Sequence, residues 1–218
     1  MIRTALLVAG KDLRVEARSR VLLWQVVPFG VMALLLCGLA LGPRHAGDSE
    51  AAPGLFYVVV VLVALLMINR SVAIERTPGT RASVATLGLD PAGVFLGKAL
   101  ALAVELWATA AVLLVGAVLF LHTAAHGTLA AVPSVVETLA ALAAAGTLYG
   151  ALSAGAATVT LLPLVALPAF APLLIAGERS FVAALRGGAL WEWWLIVTVA
   201  LVAYLAVGIL LYGVLEES

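Results

Sequence analysis

Charge is what this chain lacks. Asp, Glu, Lys and Arg make up only 11% of its 218 residues, and twelve acids balance twelve bases to a formal net charge of zero. Soluble domains carry roughly a quarter of their residues as charges, so an aqueous coat cannot be built from this composition. The balance also removes the basic footprint of a nucleic-acid binder. A single cysteine excludes a disulfide scaffold. Three histidines leave few bases or metal ligands. What is present is apolar: 64% of the residues are hydrophobic and the mean hydropathy is +1.18. That much apolar surface excludes disorder and cannot be hidden in a soluble domain of this size. The solvent of this chain is mostly lipid.

A helix crosses a bilayer with about 20 apolar residues. Residues 21–42 carry no charge and form a first span. Residues 55–74 form a second, with Arg70 near its end able to snorkel. A third lies over 93–121 and includes Glu105. Residues 138–177 are uncharged for 40 positions, about 60 Å of helix and twice a hydrocarbon core. They must fold back as two spans, near 138–156 and 161–177, with a turn over 155–160. Residues 193–215 form the last. The expectation is an all-α membrane protein of six spans.

Nine of the twelve Lys and Arg residues lie in 1–20 and 70–98, which predicts that both segments and both termini are cytoplasmic. In the first segment Ile2, Leu6, Ala9, Leu13 and Ala17 share one helical face, and Arg3, Lys11, Arg14 and Arg18 gather elsewhere. That pattern suits an amphipathic helix over 1–20 lying in the headgroup layer, although the basic residues alone would also serve as a topology signal. The second segment holds the long cytoplasmic loop over 75–91. Pro78-Gly79 marks a turn, 82–87 fits a short helix ended by Gly88, and Asp90-Pro91 fits an N-cap followed by the first helical residue. Such a loop presents a knob to a cytoplasmic partner, or simply connects. The outer segments 43–54, 122–137 and 178–192 read as connectors.

No catalytic or metal site is expected. Gly93-Val-Phe-Leu-Gly97-Lys98 has one residue too few between its glycines for a phosphate loop, and Ala99 replaces the metal-binding hydroxyl; ATP must therefore belong to another chain. Ser153 lies among small residues with no histidine after His126 to serve as its base, and Gly146, Gly150 and Ala154 read as a helix-packing stripe. His122 and His126 are four residues apart and would share a helix face as weak haem ligands, if the helix continues through Gly127. Trp191, Trp193 and Trp194 either stack on a planar ligand such as haem or form the aromatic belt at the headgroups. Glu105, an acid inside a span, is a candidate functional residue or a packing residue, seven positions from Lys98. Pro163, Pro168 and Pro172 within one span mark a kinked element, either mobile or static.

The order of these pieces resembles the CcmB family of cytochrome c maturation proteins, also called haem exporter protein B. The resemblance rests on the basic first helix, the run Arg70-Ser-Val-Ala-Ile-Glu75-Arg76-x-x-Gly79, and Gly97-Lys98 opening the third span. It rests also on the proline-spaced stretch from Leu161 to Gly177 and the ending Leu-Tyr-Gly-Val-Leu-Glu-Glu. It implies a six-span permease subunit of the type-2 ABC exporter class in the bacterial inner membrane, acting as a dimer. It further implies a CcmA-like ATPase docked on the cytoplasmic face, CcmC-like and CcmD-like neighbours, and a CcmE-like haem chaperone released on ATP hydrolysis. On that resemblance Arg70, Glu75, Arg76 and Gly79, with Arg81 beside them, belong to the ATPase-docking loop, although Thr80-Arg81-Ala82-Ser83 departs from the family's acidic, leucine-rich continuation. An exporter permease for a lipid, drug or glycan, and a haem-binding membrane protein, are the alternative functions.

Overall fold

The structure, a computed structural model, describes residues 1–42, 48, 50–75, 90–154 and 162–217. The described residues are helical, with no strand among them. Helix α1 covers Ile2–Ser19. A π-helical turn, Leu22–Val26, runs into α2, Val27–Leu41. Then follow α3, Ala51–Glu75; α4, Pro91–Phe120; α5, Ala125–Ala154; α6, Leu162–Arg186; and α7, Trp191–Glu217. Six of these segments are long and apolar enough to span a membrane, the π turn and α2 counting as one.

The first span departs from the single regular helix expected over 21–42. Val27 N–H bonds to the carbonyl of Leu22, five residues back, immediately before Pro28, which has no N–H to offer. The wider turn is how the ladder adjusts beside a missing donor. Helices also begin earlier and end later than the apolar runs. The second span starts at Ala51 and not at 55, and most of 122–137 and 178–192 is helix and not connector. Pro133 lies inside α5. Gly127 is not a break there, because a Cβ on it would meet Leu185 Cδ2 at 2.7 Å and Leu185 Cα at 2.8 Å. Its bare backbone lets the end of α6 approach. The short helix expected over 82–87 and the turn at 155–160 lie outside the described residues.

Helix α5 is the centre, packed on α3, α4, α6 and α7. Accordingly Ala141, Leu142, Ala143, Ala144 and Ala145 are all buried in succession, since a helix enclosed on every side needs no polar face. Small residues set the closest contacts. A Cβ on Gly146 would meet Ile68 at 2.5 Å and one on Gly150 would meet Val72 at 3.0 Å, so the expected stripe seats α3. Ser153 Oγ donates to the Gly150 carbonyl at 2.8 Å, consistent with packing. The side chain of Ala154 lies outside the described residues. Helices α2 and α7 lie at the periphery, and Leu36, Leu39, Val199, Val202 and Leu210 point outward.

Gly93 and Gly97 also have a structural use. A Cβ on Gly93 would meet Thr4 Cβ at 2.8 Å, and one on Gly97 would meet the Ala5 carbonyl oxygen at 2.6 Å and Val8 Cβ at 2.7 Å. Helix α1 therefore lies directly against the first half of α4. Gly97→Val is expected to push α1 off α4 at a cost of about 1–3 kcal/mol. The check is labelling of a cysteine introduced at position 8 (Val8→Cys), in a Cys37→Ser background, by a membrane-impermeant maleimide. Protection is expected with Gly97 in place, and reaction once the Gly97→Val substitution is added.

Candidate functional site

Helix α1 divides into three sectors. Ala5, Val8 and Ala9 are buried on α4, Ile2 and Leu6 are exposed, and Arg3, Lys11, Arg14 and Arg18 are exposed beyond them. An apolar strip between a protein face and a basic face is the arrangement of a helix at the acyl–headgroup boundary. The expected apolar face is thus split: Ala9 faces protein, and Ile2 and Leu6 do not.

Asp12 and Glu16 extend the protein-facing side of α1, and Glu16 ties three elements together. Its Oε2 lies 3.0 Å from Arg70 Nη2 on α3. Its Oε1 accepts the backbone N–H of Leu22 at 2.7 Å, at the start of the first span. Arg70 Nη2 also donates to Ser19 Oγ at 2.9 Å, and that hydroxyl donates to the Glu16 carbonyl at 2.9 Å. Arg20 closes α1 in a left-handed conformation, φ 54°. The side chains of Glu16 and Arg70 retain 12% and 26% exposure, so this is a shielded pair and not a surface one. Glu105 on α4 lies within electrostatic reach of Glu16, Asp12 and Arg70. The Glu16–Arg70 pair therefore joins α1 to α3 and to the start of the first span, and Asp12 is paired with Lys11 at 2.6 Å. At the start of α4, Asp90 occupies the N-cap position with Pro91 after it, as expected. It makes no side-chain capping bond, and its Oδ2 lies 3.2 Å from the Met1 amino group.

Arg70 therefore sits inside α3 and is engaged within the chain. The backbone of Glu75 ends α3. The Glu75 side chain and all of Arg76, Gly79 and Arg81 lie outside the described residues. Glu16 and Ser19 were not singled out from sequence. The signal was available: the helical wheel puts Asp12 and Glu16 on the side of Ala5 and Ala9, away from the arginines, and an acid on a packed face requires a basic partner. Lys98, expected on the face of Glu105, has a different partner. Its Nζ donates to Tyr212 Oη on α7 at 2.7 Å.

At the opposite end the expected haem candidates do not form one site. Helix α4 ends at Phe120, and His122 takes φ 57° in the turn that follows. His126 lies in the first turn of α5. The two histidines are exposed on separate elements and share no helical face. The three tryptophans part as well. Trp191 is exposed, Trp193 packs on the core, and Trp194 Nε1 donates to Ser134 Oγ at 2.6 Å. Ser134 also accepts from Ser180 Oγ at 2.5 Å, so Trp194 belongs to a polar link among α5, α6 and α7. In the proline-spaced span only Pro168 and Pro172 interrupt the helix. Pro163 is the second residue of α6, where a missing N–H costs nothing. Tyr204 on α7 donates to the Ala169 carbonyl within the interrupted stretch at 2.9 Å.

The sequence model of the CcmB protein family matches residues 3–213, from α1 through nearly all of α7. The chain belongs to the CcmB family. It is accordingly a multi-pass membrane protein and a permease-type subunit of cytochrome c maturation. No curated protein matches it. For a CcmB-family chain the match covers every element at the α1–α3–α4 junction, including Glu16, Arg70 and Glu105.

Proposed function

We propose that this chain is the permease subunit of an ABC-type complex that couples ATP hydrolysis by a separate CcmA-like subunit to haem delivery in cytochrome c maturation. The observation that carries this reading is the Glu16–Arg70 junction. The segment 76–89 joins α3 to α4, and both of those helices hold α1: α3 through Arg70 and α4 through Gly93 and Gly97. A partner pressing on 76–89 therefore moves α3, α4 and α1 together. Such a partner shifts the permease only by binding two of its states differently.

In this reading the basic end faces the cytoplasm of a bacterial inner membrane, following the distribution of Lys and Arg. Glu75, Arg76, Gly79 and Arg81 meet the ATPase, and the chain itself performs no catalysis. The exposed apolar faces of α2 and α7 serve lipid, a second copy of the chain, and the CcmC-like and CcmD-like neighbours. Haem, carried by a CcmE-like chaperone, is the cargo of the complex and not a resident cofactor of this subunit.

The test is co-purification in mild detergent with the candidate ATPase, followed by its hydrolysis rate. Glu75→Ala and Gly79→Val are expected to lower permease-stimulated ATP hydrolysis about fivefold, the effect of losing ~1 kcal/mol of differential binding, with the thermal midpoint of the permease unchanged. Full stimulation and full cytochrome c maturation in both variants would overturn the coupling role of the loop.

A further inference from the structure

The outer half of the bundle holds an acid with no cation beside it. Glu137 lies on α5, twelve residues after Ala125 and seventeen before Ala154, about 18 Å and 25 Å from the two ends of that helix. A carboxylate at that depth is costly in lipid and requires a partner. Its Oε1 accepts the hydroxyl of Thr198 on α7, and no base among the described residues pairs with it. Thr198 is itself exposed. From the other side, Trp107 Nε1 of α4 donates to the Val136 carbonyl at 2.9 Å. Helices α4 and α7 thus reach α5 at consecutive residues, yet Val136 is 40% exposed, and Pro133, one turn outward, is exposed as well. Further in, α5 is enclosed at Ala141 to Ala145, and α4 meets α7 where Phe95 lies on Gly208. The two helices therefore part toward the outer end and leave a groove with α5 as its floor and Glu137 at its edge.

The charge decides what fits there. Lipid tails offer a carboxylate nothing, and charged lipid headgroups lie outside the hydrocarbon core. A second copy of the chain is a poor match for a different reason. Symmetric pairing brings the same surface to itself, and the groove surface carries an acid and no described base. At the outer end Arg179 is paired with Glu178 and Arg186 with Glu50, and both arginines lie on α6, which packs on α3, α5 and α7 and not on α4. A helix with a basic residue meets both demands, since its apolar faces fill the groove and its cation meets the acid inside the membrane. We propose, on the reading above that the chain works beside other membrane subunits, that this groove seats one transmembrane helix of such a subunit, with an Arg or Lys on Glu137. Val136 and Pro133 form the apolar floor of the seat, and Thr198 orients the carboxylate.

The test is photo-crosslinking in native membranes. The full chain carries benzoylphenylalanine at position 136 and is co-expressed with the CcmC-like and CcmD-like subunits of its own maturation system. The expected adduct is to a transmembrane helix of one of them, within a turn of an Arg or Lys. Glu137→Gln keeps an acceptor for Thr198 and mimics a neutral acid; it is expected to lower the adduct yield about fivefold, the scale of one polar contact between membrane helices. Replacing the partner's base by Leu should give the same loss, and the two changes together should cost little more than either alone. The partner's substitution leaves this chain intact, so it carries the comparison should Glu137→Gln fail to fold. An adduct between two copies of the chain, an adduct to lipid alone, or an unchanged yield in both variants would overturn the seat. Co-purification of the CcmA-like ATPase from the same membranes keeps the two readings apart. ATPase retained without a Glu137-dependent adduct ends the groove proposal alone, and a Glu137-dependent adduct without ATPase ends the coupling proposal alone.

Discussion

Arg70→Met is expected to destabilise the protein by about 3 kcal/mol, close to the cost of stripping one partner from a shielded ion pair. The methionine keeps an unbranched apolar stem and removes the guanidinium with its charge and donors. Glu16 then retains the Leu22 N–H and loses its cation, and Ser19 loses a donor. Glu16→Gln should cost less, because an amide keeps an acceptor for Leu22 and leaves no unpaired anion. In the double variant Glu16→Gln/Arg70→Met the losses should fall short of their sum by about 1 kcal/mol or more, since each change removes the same contact. Thermal unfolding in detergent, followed by intrinsic fluorescence, measures all three. Cytochrome c maturation in cells should fall with Arg70→Met more than its stability loss alone accounts for, if the proposed coupling runs from the 76–89 segment to α1 through this pair. Additive losses would show that Glu16 and Arg70 act independently.

Gly208→Leu is expected to have the other large effect. The ring of Phe95, fully buried, lies against the bare Cα of Gly208, so even a Cβ would overlap it. A phenyl ring enclosed by Tyr212 and its neighbours cannot swing aside as the end of a lysine would. Helix α7 has the least buried surface of the six spans, so each of its close contacts is a large share of what holds it. Overpacking of this kind costs about 1–3 kcal/mol in a soluble core, and leucine places it at the upper end. Phe95→Ala alone should also destabilise, by about 3 kcal/mol or more, through the cavity it leaves. The informative measurement is the pair Phe95→Ala/Gly208→Leu, which exchanges volume across the contact and should recover part of the lost thermal midpoint. No recovery would mean that α7 is located by its other contacts, such as Tyr204 on the Ala169 carbonyl.

These two sites differ in how far the sequence announced them. Arg70 stood out as a charge at the end of an apolar run, but its sequence neighbours pointed to the loop that follows it. Its partner is 54 positions earlier in the chain, and no local pattern joins the two. Gly208 had no signal, because a glycine in an apolar helix is ordinary until the residue opposite is known. Gly93 and Gly97 had the i, i+4 spacing of a packing stripe, yet a comparison with phosphate loops drew attention to their neighbour Lys98. The histidine pair failed for a related reason. A four-residue spacing means a shared face only within one helix, and the turn after Phe120 falls between His122 and His126.

The sequence by itself determined the solvent, the number of crossings and the place of the charges. These follow from the transfer of side chains and backbone between water and lipid, a cost summed along the chain. Only the tertiary structure decided what each charge and each glycine faces. In a bundle whose exterior is as apolar as its interior, hydropathy does not separate core from surface. Close approach at Gly97, Gly146 and Gly208 and the pairing of Glu16 with Arg70 set the arrangement instead, and both depend on residues far apart in the chain.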